Sequence, residues 1–223
     1  MPPPISSGAP LSEIAIGHPA ASRVFQRLQL DFGCDADRTL SQACADRGLD
    51  PEAVIREILD DVPPLGSEAA LRERPLEELV AHVVGHYHRR LREELPALVS
   101  MARTVELRHA DEPACPRGLA RHLETLQDEL FRHLDKEERA LFPTILAGQG
   151  RLAGVPIRVM EAEHEEHAAA LAETRDRTTG YTPPEGACPT WRALYLRLRE
   201  FELELTRHIH LENQVLFPRA LRS

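Results

Sequence analysis

Two stretches of the chain, His133 to Pro143 and His208 to Pro218, follow a single pattern, H-x-x-x-E-x-x-x-L-F-P, and this repetition constrains the fold more than any other feature. Five residues match at the same offsets, the uncommon Phe-Pro pair among them, which marks a duplicated unit. In each copy His and Glu stand four residues apart, so on a helix both project from one face about one turn from each other. Leu126, Leu130 and Leu141 share the face of His133, and Phe201, Leu205, Val215 and Leu216 share that of His208. That face points into a core, where a Glu is costly to bury without a cation.

The surrounding sequence reads as helical nearly throughout. Leu, Ala, Glu and Arg are abundant, β-branched runs are scarce and aromatic residues make up 4% of the chain. Long helices are expected at about 75–106, 116–146, 154–178 and 189–221, separated by Asp111-Glu112-Pro113, Gly148-Gln149-Gly150 and Gly180 to Gly186. Four such helices with short connections predict an all-α fold, an antiparallel up-down bundle over 75–223. Val62-Pro63-Pro64-Leu65-Gly66-Ser67 interrupts helix formation, so 63–74 is expected to be a linker and 1–62 a small helical N-terminal domain, with Asp50 capping a helix that Pro51 opens.

A duplicated helix pair requires one ligand from each remaining helix. On the first, His88 shares its face with Val80, Val84, Leu91, Leu95 and Leu98, whereas His86 lies with Arg90 and Glu93. On the third, His164 is flanked by Ile157, Met160, Ala168 and Leu171, whereas His167 is grouped with Glu163 and Thr174. The set is therefore His88, His133, Glu137, His164, His208 and Glu212. Four imidazoles and two carboxylates are too many for one tetrahedral zinc and suit two octahedral metals with bridging Glu groups, iron or manganese first. A ferric pair with an oxide bridge leaves positive charge in a dry core, so Glu129 and Glu163 are expected in an outer shell or an iron path. His82, His86, His109, His122, His167 and His210 are expected in solvent, and Cys44, Cys115 and Cys188 as small packing or loop residues.

Net charge and hydropathy exclude other classes. The formal charge of −9 and the lack of a basic stripe argue against nucleic-acid binding. No apolar run approaches the roughly 18 residues that span a bilayer, and Met1-Pro2-Pro3-Pro4 lacks the form of a signal peptide, so a cytoplasmic location without membrane attachment is expected. Four cysteines without CxxC spacing suggest neither a disulfide framework nor a thiolate zinc site.

The pattern His88, His133-x-x-x-Glu137, His164, His208-x-x-x-Glu212, with Tyr87-His88, Lys136-Glu137-Glu138, Val159-Met160-Glu161, Thr182-Pro183-Pro184, Leu211-Glu212-Asn213 and Leu216 to Leu221, resembles the hemerythrin-like superfamily. Within it the chain resembles the RIC family of iron-sulfur cluster repair di-iron proteins along nearly its whole length. Four His, rather than the five of oxygen-carrying hemerythrins, points to that branch. The resemblance implies two non-haem irons with an oxo or hydroxo bridge, and damaged iron-sulfur proteins as partners that receive iron. Reduction of nitric oxide or peroxide, and sensing of O2 or NO, use the same ligands and remain alternatives. The family's N-terminal motif has two adjacent cysteines; here Gly33 replaces one, which removes the vicinal dithiol and leaves Cys34 for a single-thiol step.

Overall fold

The computed structural model describes residues 5–28, 30, 38–60 and 74–222. Cys34 and, apart from Arg74, the expected linker lie outside the described residues. Near the N-terminus are four short helices, α1 (Leu11–Gly17), α2 (Pro19–Arg27), α3 (Leu40–Arg47) and α4 (Pro51–Asp60). Their ends follow local chemistry. Thr39 and Gln42 form a reciprocal capping box at the start of α3, and Gly48 ends it in the left-handed conformation at φ 64°. Asp50 accepts from the Glu52 backbone N–H at 3.0 Å, as its capping position before Pro51 predicts.

Four long helices follow. α5 covers 76–108, α6 covers 119–146, α7 is Gly150–Arg177 and α8 covers 189–220. α5 packs on α6 and α8, and α7 packs on both α6 and α8, so the four close into an up-down bundle. α7 starts at Gly150, inside the expected break, and carries Pro156 within its length.

Three of the four helices are not regular. α5 widens into a π turn at Val83–His88, α6 at Glu137–Leu141 and α8 at Glu212–Leu216. In each the backbone bond spans five residues: Arg89 N–H to Val84 C=O, Phe142 to Glu137 and Phe217 to Glu212. In α6 and α8 the π turn ends just before Pro143 and Pro218. A proline has no N–H and its ring crowds the carbonyl four residues back, and the wider turn relieves both problems. The repeated Phe-Pro pair is thus part of the ligand-bearing turn.

The buried apolar residues form two clusters. One is built around Leu79, Val83, Phe142, Ile157, Met160, Val215 and Phe217. The other runs from Leu91, Leu95, Leu130 and Leu205 to Trp191 and Leu194, and continues into Leu11, Phe25, Leu40 and Ile58 of the N-terminal helices. α1 and α2 lie against α8, so the small N-terminal unit shares a core with the bundle. Among the described residues no helix is long and apolar enough to cross a membrane.

Candidate metal centre

A polar layer lies between the two apolar clusters. His88, His133, Glu137, His164, His208 and Glu212 are each at most 2% exposed. Their donor atoms fall into two groups of four, His88, Glu137, His208, Glu212 and His133, Glu137, His164, Glu212, each within 4.8 Å. Both carboxylates belong to both groups. Glu137 Oε2 is 3.4 Å from His88 Nε2 and 3.5 Å from His133 Nε2. Glu212 places Oε1 3.0 Å from His208 Nε2 and Oε2 3.2 Å from His164 Nε2. All six residues singled out in the sequence are brought together.

The outward nitrogens show how the rings are oriented. His88 Nδ1 donates to Glu138 at 2.9 Å, His133 Nδ1 to Glu163 at 2.9 Å and His164 Nδ1 to the Asn213 side-chain oxygen at 2.8 Å. A neutral imidazole that donates from Nδ1 presents a lone pair at Nε2, so three rings aim bare nitrogens inward. Each outer carboxylate is itself held by a cation, Glu138 by Arg92 at 3.2 Å and Glu163 by Lys136. The buried Nδ1 of His208 has no hydrogen-bond partner; Tyr87 stacks against that ring instead, at 5.5 Å.

The charges do not balance without a cation. None of the four oxygens of Glu137 and Glu212 has a hydrogen-bond partner, though all are buried. Burial and the neighbouring Glu212 push the Glu137 carboxyl well above its usual range. At Glu212 burial acts in the same upward direction, but His208, His164 and His88 outweigh it and hold the group well below. Burial and His164 push His133 down to about 3, and burial lowers His208. Converging lone pairs and unsatisfied buried carboxylates fit a pair of cations. The six residues would hold them, with Glu137 and Glu212 shared.

The outer residues differ from expectation. Glu163 is partly buried at the centre, but Glu129 is exposed on α6. His167 is buried rather than solvated, 2% exposed, with its ring 4.9 Å from that of His133. His122 bonds to Ala170 and Thr174, and His109 lies between Glu112 and Cys188, so these two are not free in solvent either. Glu138 and Asn213 were missed, although the repeat marks them. Each follows the shared Glu directly, and each bonds the histidine of a neighbouring helix.

Known proteins extend these observations. The hemerythrin HHE cation binding domain family matches residues 79–220, and a domain of unknown function (DUF542) matches 7–61. An iron-sulfur cluster repair protein YtfE from Musicola paradisiaca is 47% identical over 216 residues. Proteins of the same name from Yersinia pseudotuberculosis and Pectobacterium atrosepticum are 45% identical over 213 and 214 residues. Each alignment covers 96% of both chains. With the cation-binding domain matched across the four-helix bundle and relatives of one name aligned from end to end, the chain belongs to the hemerythrin-like RIC family of iron-sulfur cluster repair proteins.

Proposed function

We propose that this protein holds two non-haem irons, joined by an oxo or hydroxo bridge, and donates iron to iron-sulfur clusters damaged by oxidative or nitrosative stress in the cytoplasm. The observation that carries the reading is the sharing of Glu137 and Glu212 between two four-donor groups. One metal would leave half of the imidazoles without a partner, whereas two metals use every donor. The relatives' name supplies the function, and damaged iron-sulfur proteins in general are the partners.

The residues have separable roles in this reading. His88 and His208 would hold one ion, His133 and His164 the other, and the carboxylates of Glu137 and Glu212 would be shared by both. Glu138, Glu163 and Asn213 fix the ring orientations, and the apolar clusters on both sides exclude water. Iron supplies the cargo. The test is anaerobic purification, metal analysis and an optical spectrum, followed by incubation with an apo cluster protein, sulfide and a reductant. Two irons per chain and the growth of a cluster spectrum are expected. A zinc-only protein, one iron per chain at saturation, or no iron in the acceptor would overturn the proposal.

A further inference from the structure

A second cluster of reactive side chains stands at the far end of the bundle, where α5 ends and α8 begins. His109 caps the end of α5, and Cys188 directly precedes Pro189, the first residue of α8. His109 Nε2 lies 3.2 Å from Cys188 Sγ, and its Nδ1 lies 2.6 Å from Glu112 Oε1. A carboxylate only accepts, so the Nδ1–H is fixed on Glu112 and the bare Nε2 faces the thiol, which donates to it. Glu112 is tied to the same place by its backbone N–H, which donates to the His109 carbonyl at 3.0 Å. The imidazole also packs against the ring of Trp191, a fully buried residue, at 4.9 Å. Nucleophile, base and orienting carboxylate thus follow one another through two hydrogen bonds.

The surroundings decide which chemistry fits. Among the described cysteines, Cys44 and Cys115 are buried and Cys188 alone is partly exposed. His109 spends its two nitrogens on different partners, and the three residues make no group of converging donors, so they do not form a metal site. Acyl transfer needs an N–H for the developing oxyanion, commonly that of the residue after the nucleophile, and Pro189 has none to give. Attack on a disulfide develops no oxyanion and needs only a deprotonated, accessible sulfur. Twenty residues of α8 separate Cys188 from His208, about 30 Å of helix, so the cluster is distinct from the metal centre.

We propose that Cys188, His109 and Glu112 form a thiol-exchange site that takes up a low-molecular-weight thiol from its disulfide. His109 Nε2 removes the thiol proton, and Cys188 Sγ attacks one sulfur of the small disulfide. The new S–S bond forms as the old one breaks, and the leaving thiolate takes the proton back from His109. One disulfide is exchanged for another, so no further oxidant or reductant enters the step. The same small thiol in its reduced form reverses it. The protein thereby carries, apart from its iron ligands, a covalent reading of the thiol–disulfide balance around it.

The test incubates the full-length protein with glutathione disulfide under anaerobic conditions and follows the mixed disulfide at each cysteine by peptide mass spectrometry. Cys188 should be modified and the buried Cys115 should not. An unassisted thiol is only a few per cent ionised at pH 7, so activation gains at most roughly 30-fold, and His109→Gln is expected to slow the reaction at Cys188 by about tenfold. That gap should close above about pH 9.5, where solvent alone ionises a thiol. A gap that persists at high pH would make His109 a packing residue and overturn the proposal. Glu112→Leu should also slow the reaction at pH 7, and Glu112→Gln, which keeps an acceptor for Nδ1–H, should restore most of the rate. An unmodified Cys188, or a parental rate in His109→Gln, would overturn the proposal as well. Glu112 is half exposed, so Glu112→Leu leaves the core intact, and a parental rate there would overturn the hydrogen-bonded arrangement even if His109→Gln folds poorly.

Discussion

His88 and His208, on helices at opposite ends of the bundle sequence, hold their Nε2 atoms 3.2 Å apart in the core. His133 and His164 do the same at 3.1 Å. Two neutral nitrogens at that separation satisfy each other only if one donates, and Nδ1–H groups fixed on Glu163 and Asn213 deny both His133 and His164 that role. A cation resolves the conflict.

Removing one nitrogen should therefore cost far more at these positions than elsewhere. His133→Ala and His208→Ala should lose most of their iron, whereas His210→Ala, on an exposed position of the same helix as His208, should keep it. Iron per chain after anaerobic reconstitution checks this. Equal contents in all three would place the metal elsewhere.

Stability without metal should fall on acidification. His133, at about 3, and His208, also depressed, resist protonation in the folded state, while the unfolded chain takes up protons below about 6.5. Their contribution is present above that value and lost as pH falls toward 3. Glu212, held low, acts in the same direction below its unfolded value, near 4.5. Glu137, held high, acts in the opposite sense and costs stability as pH rises above about 4.5. Between pH 7 and pH 5 the histidines outnumber it. Thermal melts of metal-free protein should show a lower midpoint at pH 5, and a flat profile would contradict the buried neutral rings.

The outer partners should tune affinity without defining the site. Glu138→Leu and Asn213→Leu free the rings of His88 and His164, and each should weaken iron binding by about 10- to 100-fold. Glu138→Gln retains an acceptor and should lose less. Competition against a graded chelator gives the affinities. Glu129→Leu serves as the exposed control and should leave binding unchanged.

The N-terminal helices should contribute to bundle stability. Phe25 is fully buried in the cluster that also contains Trp191 and Leu194. Phe25→Ala should destabilise the protein by about 3–5 kcal/mol. Iron content of the folded protein should stay at the parental level. Denaturant melts followed by metal analysis separate the two effects.

Much of this arrangement was legible in the sequence because helical periodicity and duplication act together. The H-x-x-x-E spacing named the four shared-helix ligands, and the apolar residues around His88 and His164 selected one histidine on each remaining helix. His167 was not legible. It neighbours Glu163 and Glu166 in sequence, and α7 also carries Leu152, Val155 and Val159 on its exposed side, which blurs the division between faces. The outward bonds of His88 and His164 depend on how closely neighbouring helices approach, which a one-helix pattern does not encode. The π turns were hidden for a related reason, since a five-residue backbone bond alters no side-chain type.

Those π turns make the site sensitive to chain length. Each gives its helix about one residue more than a regular helix of the same height would need, and the surplus is spent beside His88, Glu137 and Glu212. Losing one residue there would let the helix relax to its regular form with both flanks left in register, but would change the directions of the side chains that the turn itself carries. In α5 Leu79 and Val80 would stay in the core while the turn that carries His88 closed up. Single-residue deletions in these three turns should therefore lower iron content more than they lower the melting temperature, and alignment gaps among working relatives should avoid them.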